Sequence, residues 1–252
     1  NVLFGPPTLY AALLAHGLDG SDLSRLEVCA TGAAPVPADL PARWEHETGV
    51  PLRVGWGMTE LNSMGTYNGL VSRPAPGTLG VPVVGEVRIV TDSGQVAERD
   101  QDGEIEYRGM QVSQGYLGRP EETAAAFRAD GWFRTGDIGR IDADGLLRYV
   151  DRRKDLIVAS GYNIAPAEIE NALLSHPAIR DAAVIGVPDE YRGEVPVAYV
   201  VGPVTAADVV AFCRERLAAT KIPARVEVVG QLPKNAMGKT LKPALRAQER
   251  RR

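Results

Sequence analysis

Apolar residues along this chain keep three rhythms, one after another. At the start, strand-like and helix-like runs alternate. NVLFGPP reads as an apolar strand entering a Pro turn, residues 8–15 carry helical apolar spacing, and residues 26–30 form a short strand ending in the turn TGAAP. Residues 38–48 read as a helix stopped by Gly49, and residues 52–55 as the next strand. Such alternation, with Gly or Pro at each switch, predicts a mostly parallel α/β sheet. Ligands on sheets of this kind bind beyond the carboxyl ends of the strands, where TGAAP and GWGMTE both fall.

From about Gly77 the rhythm shortens to period two. VGEVRIV, GEIEYRG, WFRTGD and IGRIDADGLLRYV read as strands between tight turns, with Asp144-Gly145 as a hairpin signal. This predicts an antiparallel, barrel-like subdomain over residues 77–153, attached to an α/β portion over 1–76. The charged cluster Asp151 to Asp155 marks a boundary. Beyond it, over 154–252, the pattern is that of a small α+β domain. A helix starts at Pro166, with Glu168 and Glu170 placed in its first turn, where the dipole favours acids. Strands follow at 181–187 and 195–201. A further helix starts near Thr205, with Asp208 in a capping-box position and Val209, Cys213 and Leu217 on one face. A strand at 225–229 and the loop LPKNAMGKT close the domain. The sequence has no internal repeat and no low-complexity stretch.

Composition narrows the classes. The chain has 252 residues, 44% hydrophobic and 24% charged, as expected of a globular protein with a sizeable core. A formal charge of −4 gives no basic face for a nucleic-acid partner. The terminal RAQERRR run reads as a solvated tail. Cys29 and Cys213 lie in apolar segments and read as buried thiols rather than a disulfide or metal site. His16, His46 and His176 lack metal-ligand spacing. No apolar run reaches transmembrane length and no signal peptide opens the chain, so the expected setting is cytoplasmic. The chain starts at Asn1, without Met, in what reads as the middle of a fold.

Several short motifs carry residues fit for chemistry. In Trp56-Gly57-Met58-Thr59-Glu60 the indole is suited to stacking on a flat base, and Gly57 to close backbone approach of a ligand. Thr59 and Glu60 suit a phosphate oxygen and a magnesium ion. A strand-end turn with a core Trp explains the same pentapeptide equally well. Asp137, in Thr-Gly-Asp, is an acceptor able to take both hydroxyls of a ribose, or an Asp holding its own turn. Lys239 follows Gly238 on a loop, where a compact ammonium on a long stem can neutralise charge developing on a phosphate; Lys234 and Lys242 are its nearby competitors. Gly32, Ala33 and Ala34 form a small-residue turn that a flat ligand or plain tight packing would each explain.

Taken in order, GAAP, GWGMTE, GEIEYRG with GYLGRPEET, FRTGD, DRRKD, SGYNIAP and PKNAMGK resemble the adenylate-forming enzymes, the family of acyl-CoA synthetases, luciferases and peptide-synthetase adenylation domains. Seven motifs in one order are hard to obtain by chance. The resemblance implies AMP and ATP contacts at Gly32, Ala33, Ala34, Trp56, Gly57, Met58, Thr59, Asp137, Arg152 and Lys239. It implies a magnesium ligand at Glu60, catalytic roles for Lys239, Thr59 and Glu60, and a hinge at Lys154 about which a mobile small domain turns. Gly161 and Tyr162 resemble the loop that meets coenzyme A. The family more often has Tyr where this chain has Trp56, so the phenol oxygen is lost.

The implied reaction joins a carboxylic acid to the α-phosphate of Mg·ATP, then passes the acyl group to the thiol of coenzyme A. Trp56 and residues 61–65 point to a fatty acid. The family's Gly/Ser/Thr-rich phosphate loop belongs upstream of GAAP and is not in these 252 residues, which implies the second half of a longer enzyme, inactive by itself. A carrier-protein thiol as acceptor, or a non-catalytic nucleotide-binding remnant, are the alternatives. Lys239 also resembles the target of lysine acetyltransferases that act on bacterial acyl-CoA synthetases.

Overall fold

The computed structural model describes residues 1–72, 74–235 and 238–251, and no helix among them is long and apolar enough to cross a membrane. The chain divides into two compact units, Asn1–Tyr149 and Val150–Arg252. The sequence placed its boundary at 153/154, a few residues later.

The first unit opens with β1 (Val2–Gly5), α1 (Pro7–His16), β2 (Val28–Thr31), α2 (Leu40–Thr48) and β3 (Leu52–Trp56). The three strands pair in parallel, as the alternation predicts. Gly49 ends α2 in the left-handed region at φ 69°, where it costs no Cβ clash. The helices cover one face of the sheet, with Tyr10, Leu40 and Trp44 packed on Cys29 and Leu52. Burial raises the thiol pKa of Cys29, as an inert core cysteine requires. The sheet then turns antiparallel through β4 (Thr66–Tyr67) and β5 (Val81–Pro82), so the parallel part is three strands of five.

Next come β6 (Glu86–Val90), β7 (Gly103–Arg108), α3 (Pro120–Ala126), β8 (Phe133–Ile141) and β9 (Leu147–Arg152), whose strands form a four-stranded sheet in the order β6-β7-β8-β9. The expected antiparallel layer is present, but among the described residues the sheet path ends at β6 and β9 and does not close into a barrel. A bridge from Gly80 to Leu147 continues it instead toward β5. One face carries Ile89, Ile105, Tyr107, Phe133 and Leu147, packed with Trp56 and Leu61. Asp142 organises the β8–β9 turn by accepting from the backbone N–H of Asp144 (3.1 Å) and Leu146 (2.9 Å), with Gly145 at φ 82°.

The second unit holds β10 (Ile157–Ala159), β11 (Tyr162–Ile164), α4 (Pro166–Leu174), β12 (Asp181–Asp189), β13 (Gly193–Val201), α5 (Ala206–Arg214), β14 (Arg225–Val228) and α6 (Lys242–Glu249). β12 and β13 form a long antiparallel hairpin whose register pairs Asp181 with Val201 and Asp189 with Gly193. Both faces of that hairpin are buried, which is why its strands read as nearly continuous apolar runs. On one face Val184, Ala198 and Val200 meet Ile169, Leu173, Val209 and Cys213 of α4 and α5. On the other Ala183, Ile185, Val197 and Tyr199 meet Leu232 and, from α6, Leu245. The capping box at Thr205 and Asp208 is formed, with the Asp208 N–H donating to Thr205 Oγ1 at 3.2 Å.

Two expectations are corrected here. The terminal run is no solvated tail: it is helical to Glu249, because the second face of the hairpin needs a cover and Leu245 supplies it at 2% exposure. Glu170 is no dipole-facing acid of the first turn. It lies a turn further along α4, accepts from the Val184 N–H at 2.7 Å and pairs with Lys242 at 2.8 Å. Burial pushes the Glu170 carboxyl above the usual range, and the Lys242 ammonium pulls it back in part.

Candidate active site

The parallel strands bring TGAAP and GWGMTE side by side at their carboxyl ends, since β2 ends at Thr31 and its neighbour β3 at Trp56. Gly32 has to be glycine: a Cβ there would lie 2.5 Å from the Gly55 carbonyl oxygen. Ala33 follows in the left-handed region at φ 66°, a conformation costing an alanine about 1 kcal/mol. Strain of this kind is retained where the surroundings over-determine the backbone.

Beyond β3, residues 57–64 make a closed excursion, ended where the Gly65 N–H donates to the Trp56 carbonyl at 2.8 Å. Gly57 was expected to admit a ligand. What it admits is the protein's own chain, because a Cβ there would lie 1.7 Å from the Ser63 carbonyl oxygen. Met58 and Glu60 are half-buried and Thr59 is exposed. The Glu60 carbonyl accepts from the Ser113 N–H at 2.8 Å, and its Oε1 accepts from the Tyr116 hydroxyl at 2.8 Å. Burial, the bond to Glu60 and the charge of Glu60 push the Tyr116 phenol up to about 12, so it stays a donor at neutral pH.

Thr135-Gly136-Asp137 is not a turn between elements. It is a bulge inside β8: Glu104 of β7 faces Ile138 while Glu106 faces Arg134, so two steps on one strand oppose four on the other. Bulges re-aim side chains beside functional sites. Three bonds hold this one. Thr135 Oγ1 donates to the Ile105 carbonyl at 2.7 Å, the Asp137 N–H donates to Thr135 Oγ1 at 3.1 Å, and the Gly136 N–H donates to Glu104 Oε1 at 3.2 Å. Thr135 therefore does the work that an Asp holding its own turn would do. Asp137 points its carboxylate back across the unit, where Oδ2 accepts from the Trp56 indole N–H at 2.8 Å. Two motifs 81 residues apart in sequence thus meet through one buried bond.

Trp56 is only 8% exposed and packs in the core of the antiparallel layer beside Leu61, at 1%. Both sit in the packed core, which accounts for their burial without an acyl ligand. For magnesium, Glu60 is a single carboxylate, and among the described residues no group of three or more His, Cys, Asp or Glu side chains is placed to hold a metal. That donor set fits an ion held by one carboxylate and substrate phosphates, and does not fit a dedicated protein cage.

The remaining candidates belong to the second unit. Arg152, at the end of β9, follows Asp151, which is buried and accepts from the N–H of Arg152 (2.7 Å) and of Ala167 in α4 (2.8 Å). Lys154 is exposed on a single 3-10 turn, Arg153–Asp155. Gly161 and Tyr162 lie at the tip of the β10–β11 hairpin, both exposed, with Gly161 at φ 82°. In the PKNAMGK loop, Ala236 and Met237 lie outside the described residues. Lys239 is exposed, and its backbone N–H donates to Asn235 Oδ1 at 2.9 Å. Its two competitors are committed elsewhere, Lys234 to Asp181 at 2.6 Å and Lys242 to Glu170.

Sequence reading missed Glu104, Thr135, Tyr116 and Asp151 as supports. Glu104 and Glu106 alternate on β7 opposite arginines of the flanking strands, a pattern visible in GEIEYRG only once the strand partners are known.

Comparison with known proteins agrees with the motif order. The model of the AMP-binding enzyme family matches residues 1–117, and that of the AMP-binding enzyme C-terminal domain matches residues 168–239. A long-chain-fatty-acid–CoA ligase of Bacillus subtilis (strain 168) is 40% identical over 252 residues, covering 97% of this chain and 45% of the relative. A feruloyl-CoA synthase of Amycolatopsis sp is 41% identical over 253 residues, covering 98% and 51%. Among solved structures, o-succinylbenzoate CoA synthetase of Bacillus subtilis in complex with its acyl-adenylate intermediate superposes with a TM-score of 0.85 at 37% identity, over 97% of this chain and 50% of that one. The chain spans about half the length of the relatives it matches.

Proposed function

The chain belongs to the AMP-binding enzymes, and on that premise we propose that it is the second half of an ATP-dependent acid–thiol ligase. The whole protein would condense a carboxylic acid with ATP to an acyl-adenylate and pyrophosphate, then transfer the acyl group to the thiol of coenzyme A, releasing AMP. The observation that carries this reading is the Trp56–Asp137 bond, which unites two motifs of the family beside the TGAAP strand end.

In the first step the α-phosphate must be held while its charge rises. Asp137, with Arg152 beside it in the motif order, would take the ribose hydroxyls, an acceptor's task for an ionised carboxylate. Gly32, Ala33 and Ala34 would lie against the adenine, their small side chains leaving room for it, with Gly57 and Met58 beside them. Thr59 would bond a phosphate oxygen. Glu60, held by Tyr116, would be the protein ligand of a magnesium ion, which when bound neutralises phosphate charge. Lys239 would place its ammonium between the carboxylate and the α-phosphate, where positioned charge lowers the barrier most. Lys154 would be the pivot between the two half-reactions, and Gly161 and Tyr162 would meet coenzyme A. Acetylation of the exposed Lys239 would remove the charge adenylation needs.

A fatty acid is the finer substrate reading, supported by the names of relatives such as the Bacillus subtilis long-chain-fatty-acid–CoA ligase. A relative named feruloyl-CoA synthase, of nearly equal identity, makes the acid a matter for assay. The test is pyrophosphate release by the full-length protein with ATP and a panel of fatty and aromatic acids, with coenzyme A or a carrier-protein thiol then offered. Acid-dependent pyrophosphate followed by acyl-CoA is expected, and none from the 252-residue chain alone. Absence of pyrophosphate from the full-length protein with every acid would refute the reading, and transfer to the carrier alone would change the acceptor.

A further inference from the structure

We propose that Tyr116 is the positioning residue for Glu60, and that its phenol O–H holds this lone carboxylate ready for the metal of metal–ATP. The inference rests on Glu60 being the protein ligand of that ion. Three observations lead to it. The Tyr116 hydroxyl donates to Glu60 Oε1 at 2.8 Å across 56 residues of sequence, and among the described residues Oε2 makes no hydrogen bond or ion pair. The two loops that carry these residues are joined at further points: the Ser113 N–H donates to the Glu60 carbonyl at 2.8 Å, and Asn62 Nδ2 donates to the Gln111 carbonyl at 2.9 Å. Tyr116 is itself fixed, because its N–H donates to Thr123 Oγ1 of α3 at 2.9 Å and its ring meets that of Phe127 edge-on, with centroids 5.5 Å apart. A Cβ on Gly115 would lie 2.5 Å from Thr123 Cγ2, so the chain entering Tyr116 runs tight against α3.

The chemistry follows from the two groups. A glutamate side chain has several free torsions, and the backbone bond from Ser113 fixes none of them. A bond to one carboxylate oxygen removes much of that freedom, since the donor sits on a ring placed by α3 and Phe127. An ionised carboxylate can only accept, so the phenol is the donor and the bond has one direction. One oxygen is taken, and the other is offered from a set position. This matters more here than in a protein cage. An ion held by one carboxylate and by substrate phosphates has a single protein contact to place it. Groups that orient a metal ligand act on affinity through that ligand. Phenylalanine at position 116 would keep the ring contact with Phe127 and lose the hold.

The experiment measures ATP binding to the full-length protein by calorimetry, without acid, once with Mn2+ as the probe ion and once in EDTA. The ratio of the two dissociation constants is the metal's contribution. Tyr116→Phe is expected to lower that ratio about tenfold, the low end of the usual effect of removing a metal ligand's support, while metal-free ATP binds as before. That unchanged binding also shows the variant to be folded. In a Glu60→Gln background Tyr116→Phe should have no further effect, because the tyrosine acts only through the carboxylate. A ratio unchanged by Tyr116→Phe, or weakened binding of both forms of ATP alike, overturns the proposal. If Glu60→Gln by itself leaves the ratio unchanged, the assignment of Glu60 to the metal is wrong and the inference falls with it. If the unaltered protein releases no pyrophosphate with any acid, the proposed function itself fails, and this inference fails with it.

Discussion

The two units hold their candidate residues in opposite ways. In the first, Asp137 sits on a bulge pinned by three hydrogen bonds and is itself held by a core tryptophan. In the second, Lys154, Gly161, Tyr162 and Lys239 all lie exposed at turns, a hairpin tip and a loop, while the polar groups around them are half-buried or buried. Lys242 pairs with Glu170, Arg246 with Asp155 at 2.8 Å, and Asp151 joins the chain before Lys154 to α4. On the proposed assignment, the difference separates two tasks. A group that reads a ribose must be preorganised, because every degree of freedom left in it weakens discrimination. A group that enters for one half-reaction gains from a place on an accessible turn, provided the body carrying the turn is rigid.

The contrast can be broken most severely from within the second unit. Glu170→Ala leaves the Lys242 ammonium without its partner and should cost ~3 kcal/mol, because removing one member of a buried pair strands the other charge. Thermal unfolding of residues 150–252 would show it. Glu170→Gln sharpens the point through pH. Burial raises the folded-state pKa of Glu170, so its contribution to stability is greatest when protonated and declines as pH rises from the ordinary carboxylate range through the raised value. The Gln variant should lose that slope, and an unchanged pH profile would show that Glu170 does not titrate with folding.

In the first unit, Asp137→Ala should cost ~2 kcal/mol in kcat/KM for ATP, the worth of charge-assisted bonds lost to the ligand, and a further ~1–3 kcal/mol of stability in thermal unfolding, because it strands the buried Trp56 indole N–H. A loss of stability with kcat/KM for ATP unchanged would make Asp137 a structural partner of Trp56 alone. Gly57→Ala tests the closed excursion. A methyl placed 1.7 Å from the Ser63 carbonyl must push the loop, at ~1–3 kcal/mol of stability. Wild-type stability there would mean that residues 57–64 yield easily. The smallest effect belongs to the surface: breaking the exposed Arg119–Glu122 pair (2.9 Å) by Arg119→Ala should change stability by under ~0.5 kcal/mol in a denaturant titration.

These contrasts also explain what could be read beforehand. The α5 capping box, the Gly49 stop and the parallel strands of the first unit were legible because each is local or periodic. The bulge at Thr135 was not, since it arises from unequal residue counts on two paired strands and no single strand shows it. The helix α6 was missed because its cue is the second apolar face of β12 and β13, fifty residues upstream; RAQERRR taken alone is a charged end. The order of motifs located the candidate residues. Their support by Trp56, Tyr116 and Glu104 depends on pairings far apart in sequence, 81 residues for Trp56 and Asp137.

The central claim is that locked residues of the first unit and Lys239 of the second serve one adenylation step. It is tested most directly by separating the half-reactions in the full-length protein carrying Lys239→Ala. Acid-dependent pyrophosphate release should fall by about a hundredfold or more, the usual effect of deleting a positioned charge. Transfer to coenzyme A from supplied acyl-adenylate should proceed at close to the unaltered rate. Equal loss in both half-reactions, or loss in neither, would contradict it.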